Sequence, residues 1–341
     1  MRQCSYRDFS LRRSVQPRAS GLTVCHFELT YRCNLACEHC QSACFSVPAA
    51  VRRELSTKQV LEVLDKLRSA GVLWLTLSGG DPLCRPDFPE IYSHAKRCGF
   101  LITVLSNGLG LTPRIAEMFA KQPPFRVEAT LNAVSPARHD KISGAKGVLP
   151  RIKRNLKLLR RCRVPLLLKT QLTASNRGQL AGLKKFAAGL KVPLQISGSL
   201  NARLNGDGAP CLLRLEPREY ASLYLKNIKA GKKAAPASGP ASPFFCGVFS
   251  GHGIGLDAYG DVFLCDMIRR PKCSLLRLGV RGATSKAKAF LLRLKFSAKS
   301  KCRYCAGLGL CGWCPGQAYL ERANPLAPLD YYCRIWEAAS K

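Results

Sequence analysis

Cys33, Cys37 and Cys40 follow the run Phe27 to Tyr31 at C-x3-C-x2-C spacing, which puts three thiols on one short loop. Three soft ligands this close together suit a [4Fe–4S] cluster, which normally takes four Cys. With three protein ligands, one iron is left for a partner that is not protein, and such an iron can do chemistry as well as store an electron. Zinc is the rival. Structural zinc usually has four ligands in paired knuckles, which a lone triplet does not supply. His39 or Cys44 would complete a zinc site only by crowding the loop. The chain has 18 Cys in 341 residues. Such abundance in a chain with no signal-peptide pattern argues for metal binding over disulfides.

A second motif, Ser78-Gly79-Gly80-Asp81-Pro82, gains its interest from its position. Paired Gly lets the backbone approach a ligand closely, and a carboxylate such as Asp81 can accept hydrogen bonds from an ammonium group. In isolation the motif is an ordinary turn. The elements around it are what place it. Apolar runs predict strands at His26–Tyr31, Leu73–Ser78, Leu101–Leu105, Val127–Asn132, Pro165–Thr170 and Pro193–Ser197. Helical periodicity predicts helices at Thr57–Ala70, Phe88–Arg97, Pro113–Lys121, Val148–Arg161 and Arg177–Leu190, with Ser56 and Asn176 as N-caps. Repeated strand-then-helix units predict an α/β fold, a partial (β/α)6 TIM-like barrel whose active residues lie at strand C-termini. Both motifs fall at such ends.

Four regions are expected: an arm over 1–24, the barrel over 25–205, a connecting segment and linker over 206–243, and a Cys-rich module over 244–341. The module's apolar content is thin around its cysteines, so metals are expected to hold it together. No run of 18 apolar residues exists, so no membrane span is expected. The basic N-terminus lacks an apolar core like that of a signal peptide, which points to the cytoplasm. The net charge of +33 comes from 54 basic and 21 acidic residues, with clusters at Lys153–Arg163, Lys226–Lys233 and Lys286–Lys301. This balance attracts polyanions, or simply solvates helix faces. No aromatic stacking motif accompanies it, which disfavours nucleic acid as the partner.

Cys33, Cys37 and Cys40 match the signature of the radical S-adenosylmethionine (SAM) superfamily, and Gly79-Gly80-Asp81-Pro82 resembles its Gly-Gly-Glu-Pro motif with Asp for Glu. Ser106-Asn107-Gly108, Thr130-Leu131-Asn132-Ala133 and His139-Asp140-Lys141-Ile142-Ser143-Gly144 resemble later segments of that family. The resemblance implies that SAM chelates the open iron and is cleaved to a 5′-deoxyadenosyl radical. It implies SAM contacts from His39, Gly79, Gly80, Asp81, Pro82, Asn107, Thr130 and Asn132, with His39 at the position that lies near adenine.

The array Cys246, Gly260, Cys265, Cys302-x2-Cys305-x5-Cys311, Cys314 and Cys333 resembles the SPASM domain, the auxiliary-cluster module of peptide-modifying members. By that resemblance Cys302, Cys305, Cys311 and Cys333 hold a distal iron–sulfur cluster. Cys246, Cys265 and Cys314 hold a proximal one, whose fourth position is either open or filled by Cys273. Spacing alone also permits zinc at Cys302-x2-Cys305 with Cys311-x2-Cys314. Asp266 matches the base of sulfatase-maturating relatives. Cys4, Cys44, Cys84, Cys98, Cys162 and Cys211 read as core or incidental thiols.

The resemblance implies an oxidoreductase acting on a peptide or protein side chain and fed by an external flavodoxin- or ferredoxin-like electron donor. The short arm leaves leader recognition to a separate peptide-binding protein or to the basic surface. A small-molecule cofactor precursor or RNA are the alternative substrates.

Overall fold

The computed structural model describes residues 21–43, 48–224 and 242–340. Most of the expected arm, residues 225–241 of the connecting segment and linker, the Lys226–Lys233 cluster, Cys4 and Cys44 lie outside the described residues. All six expected strands form: β1 Val24–Thr30, β2 Trp74–Gly79, β3 Leu101–Ser106, β4 Arg126–Thr130, β5 Leu166–Gln171 and β6 Leu194–Ser197. They are parallel and lie side by side in chain order, so each crossover advances the sheet by one strand. The sheet does not close. Beyond β1 it continues into β7 (Gly253–Leu256), parallel to β1, and then β8 (Val262–Phe263), antiparallel to β7. The two strands were not expected from the sequence. They are short, β7 is Gly-rich, and together they tie the Cys-rich part of the chain to the first strand.

The core lies between this sheet and its outer helices. Phe27, Leu29, Leu75, Leu77, Ile102, Val104, Val127 and Leu168 from the strands meet Val60, Leu64, Leu67, Ile91, Tyr92, Phe119, Leu156 and Leu159 from the helices. Parallel strands covered on both faces read as near-continuous apolar runs, which is why their positions were legible. The helix Thr57–Ser69 begins with a capping box in which Ser56 and Gln59 exchange side-chain and backbone hydrogen bonds. The other expected cap fails. Asn176 precedes a 3₁₀ turn at Arg177–Gln179, and it makes no cap bond. Its buried amide donates to the Asn132 and Gln171 carbonyls, and its oxygen accepts from the Thr173 N–H. Asn176 therefore pins the ends of β4 and β5 together.

The Cys-rich end has its own small core, contrary to the expectation of thin apolar content. Phe296 stacks on Trp313 at 5.9 Å, and Leu308, Ala318, Leu329, Tyr332 and Ile335 complete the cluster. The Arg214 guanidinium fastens it to the barrel side by pairing with Glu321 while donating to the Leu200 carbonyl.

Candidate active site

The loop from Tyr31 to Cys40 leaves β1 under heavy restraint. The Glu54 carboxylate accepts from the Thr30 hydroxyl and the Tyr31 N–H, and Arg85 donates to the Leu29 carbonyl. The Ala36 and Glu38 N–H groups donate to the Ser143 and Ile142 carbonyls. The segment that follows β4 thus acts as a shelf for the Cys loop. A side chain at Gly144, where φ is +64°, would meet the Ala36 carbonyl at 2.8 Å.

The two central glycines have a tighter constraint. A Cβ on Gly79 would lie 2.1 Å from the Thr30 oxygen. One on Gly80 would lie 2.2 Å from the Arg32 oxygen and 3.0 Å from the Cys33 Cβ. Gly79 and Gly80 let the strand-two end press against the base of the Cys loop.

Cys33, Cys37 and Cys40 all line one cavity of about 320 Å³, together with His39, Gly79, Gly80, Asn107, Thr130 and Asp266. Burial pushes the Cys33 thiol up to about 11 and the Cys37 thiol up to about 12. Such thiols keep their protons unless a cation takes the proton's place, so metal loading and thiol ionisation are coupled here. Donors to sulfur are already present: the Leu35 backbone toward Cys33, and the Asn107 amide at 3.8 Å from the Cys33 sulfur.

Three expected cofactor contacts are not on the cavity wall. Asp81 is fully buried, with its oxygens accepting from the Leu83 N–H, the Ser106 hydroxyl and the Asn107 N–H at 2.8–3.0 Å. Its carboxylate braces the turn after β3 and is closed off from the cavity's surface. Burial raises its pKa to about 6 despite these bonds. Pro82 is buried at the first position of a 3₁₀ turn.

Asn132 stands behind His39. Its oxygen accepts from the Gln171 N–H and the Thr170 hydroxyl, so its NH₂ group faces His39 Nε2 at 3.2 Å. Nε2 must then accept, and the imidazole proton sits on Nδ1, which is buried with no partner. A ligand acceptor beside His39 would satisfy that orphaned donor.

Sequence reasoning missed Glu28 and Arg269. Both line the cavity, and the Arg269 guanidinium grips the buried Glu28 carboxylate with two bonds of 2.6 and 2.7 Å. Arg269 also donates to the Asp266 carbonyl at 2.8 Å and lies over the Phe263 ring. This pair holds the Asp266 segment against the barrel mouth. The signal for Glu28 was a carboxylate inside an apolar strand. Its partner 241 residues away left no trace in local pattern.

The cysteines of the C-terminal end fall into two groups. Cys302, Cys305, Cys311 and Cys333 line one cavity of about 250 Å³ with Trp313, Tyr332 and Trp336. Cys314 is not on its wall. Cys265 and Cys314 instead lie near each other. Burial raises the Cys265 thiol to about 11, backbone N–H groups of Met267 and Ile268 face its sulfur, and repulsion from Cys314 adds to the rise. Cys314 receives the N–H groups of Gly316 and Gln317 at a helix start and is coupled to Cys246. Cys273 does not join them. It is fully buried in the barrel core, with its S–H donating to the Pro271 carbonyl. Among the described residues, the trio Cys246, Cys265 and Cys314 thus has no Cys273 as fourth ligand.

The fold is an open parallel sheet of half-barrel type, with a three-cysteine loop at its strand ends and a second cysteine-lined cavity in the Cys-rich end. Residues 27–173 match the family model of the Radical SAM superfamily. The chain is similar to the AdoMet-dependent heme synthase of Methanosarcina barkeri, at 34% identity over 44% of this chain and 42% of that protein. It is similar to the PqqA peptide cyclase of Streptomyces rochei, at 36% over 35% of this chain and 32% of the relative. It is also similar to the mycofactocin maturase MftC of Mycobacterium ulcerans, at 28% over 61% and 55%. The chain spans about a third to a little over half of the length of these curated relatives.

Among solved structures, the fold matches Streptococcus suis SuiB bound to precursor peptide SuiA. The TM-score is 0.68 at 16% identity, covering 92% of this chain and 76% of that one. It also matches native anSMEcpe with bound AdoMet, with a TM-score of 0.65 at 15% identity over 93% and 95%. Among the described residues no helix is long and apolar enough to cross a membrane.

Proposed function

We propose that the protein is a radical SAM oxidoreductase with a SPASM-type auxiliary-cluster module over 244–341, acting on a side chain of a peptide or protein. The observation that carries this reading is that Asp266, from the Cys-rich end, opens into the same cavity as Cys33, Cys37 and Cys40. Names of the relatives support the substrate class: a peptide cyclase, a maturase, and a structure bound to a precursor peptide.

In this reading Cys33, Cys37 and Cys40 hold the first cluster, and His39, Gly79, Gly80, Asn107 and Thr130 form the wall that receives SAM. A cluster held there would supply the electron for reductive cleavage of SAM, and with it the means to take a hydrogen atom from the substrate. Asp81 and Asn132 act one layer back, fixing Asn107 and His39. Asp266 is exposed at the cavity and is placed to accept the proton released when the substrate is oxidised. Arg269 and Glu28 hold that carboxylate's segment in register with the mouth. Cys302, Cys305, Cys311 and Cys333 hold a distal cluster. Cys246, Cys265 and Cys314 would hold a proximal one. A flavodoxin- or ferredoxin-like donor, a separate leader-binding protein and a cytoplasmic location complete the proposal.

A second reading takes an anionic small molecule as substrate. It is favoured by a neighbouring cavity of about 410 Å³ lined by Tyr31, Tyr259, Tyr319, Arg269, Arg270 and Lys272, and by the similarity to a heme synthase.

The test is anaerobic reconstitution followed by incubation with SAM, reductant and the short peptides encoded beside the gene. We expect well over about eight iron per chain, as more than two four-iron clusters require, SAM cleavage, and loss of two hydrogens from a peptide. SAM cleavage with every peptide unchanged would move the assignment to the small molecule. Iron well below eight with no cleavage would overturn both readings.

A further inference from the structure

Asp65, His94 and Cys98 meet on the outer helical layer, outside the cavities described above. His94 and Cys98 are four residues apart, at the end of the helix Phe88–Arg97 and its C-cap, so they share one face. Asp65 comes from the neighbouring helix Thr57–Ser69. His94 Nε2 lies 2.9 Å from Asp65 Oδ1, and the Cys98 sulfur lies 3.5 Å from the same oxygen. The three ligand atoms all fall within 4.8 Å of one another.

We propose that these residues form a binding site for a zinc-class divalent cation, with Cys98 Sγ, His94 Nε2 and Asp65 Oδ1 as ligands and water in the fourth position. Tetrahedral zinc binds nitrogen and oxygen at roughly 2.0 Å and sulfur at roughly 2.3 Å, which sets its ligands about 3.3–3.6 Å apart. The 3.5 Å sulfur–oxygen separation already fits, the 2.9 Å nitrogen–oxygen one opens by a few tenths of an ångström, and Cys98 Sγ and His94 Nε2, within 4.8 Å of each other, close to that range on binding. A mixed thiolate, imidazole and carboxylate set suits zinc better than magnesium or calcium. On binding, the Cys98 proton leaves to solvent and a metal–sulfur bond forms. One thiolate and one carboxylate then neutralise the dication. Arg68, one turn along from Asp65 and within reach of the Cys98 sulfur, faces a neutral assembly. His94 is largely sheltered and Asp65 is largely exposed, at 20% and 58% of the side chain, which leaves room for the water. The ion would cross-link two helices that cover the barrel, independently of the reaction proposed above.

The test uses the cluster-loaded full chain and zinc as the probe. We expect about one zinc retained through gel filtration with iron content unchanged. Cys98→Ser and His94→Ala should each weaken retention by more than about tenfold. Zinc-edge X-ray absorption on the wild type, which needs no variant to fold, should show one sulfur among nitrogen and oxygen neighbours. Three or four sulfurs would mean zinc in emptied cluster sites and would overturn the proposal. Retention unaffected by both substitutions, or no retained zinc, would do the same.

Discussion

At the residue scale, the chemistry rests on side chains that are absent or fully committed. Gly80 has no room for a methyl group against the Arg32 carbonyl and Cys33. Gly80→Ala should therefore displace the Cys loop and lower bound iron by about four per chain, the content of one cluster. Gly178→Ala, where nothing lies within 4 Å, should leave iron content unchanged. Asp81 offers a pH test. Its pKa is raised from 3.8 to about 6, chiefly by burial. The folded state then binds the proton more tightly than the unfolded chain. Its contribution to stability is fullest below about pH 4 and is lost as pH rises through about 6. Two units correspond to about 3 kcal/mol. The stability difference between wild type and Asp81→Asn, from urea unfolding at pH 4 to 7, should change by an amount of that order. A flat difference would refute the titration.

At the element scale, sequence legibility tracks local physics. Strands β1 to β6 and the helices between them were readable because their apolar periodicities and the Ser56 cap are local signals. The role of Asn176 was not readable, because a cap and a strand bracket use the same residue type and only the fold selects between them. The two positions should separate in energy. Ser56→Ala removes an exposed cap and should cost about 1 kcal/mol. Asn176→Ala leaves a buried N–H and two carbonyls unpaired and should cost about 2–3 kcal/mol or more. Chemical denaturation of the two variants checks the order, and equal costs would contradict the bracket role.

At the scale of the whole molecule, the Cys-rich end and the barrel are joined by more than adjacency. β7 pairs with β1, and Arg269 clamps Glu28 beside the cavity. Arg269→Met should destabilise the reconstituted protein by about 3–5 kcal/mol, because it leaves a buried carboxylate without its partner. Adding Glu28→Gln should recover a good part of that loss, since a neutral amide costs less to bury. Thermal unfolding of the single and double variants gives the coupling. If the double variant is as unstable as the sum of the two singles, the pair is not coupled.

The sequence by itself determined the three-cysteine loop, the strand–helix order and the family resemblance. Each is written in spacing or periodicity over short stretches, where covalent connection already keeps residues near one another. Only the tertiary structure decided which candidate residues face the cavity. It turned Asp81 and Asn132 away from the wall, moved Cys273 into the core and brought Arg269 to Glu28. Buried polar groups must find partners wherever the fold supplies them, and partners separated by tens to hundreds of residues leave no local pattern to read.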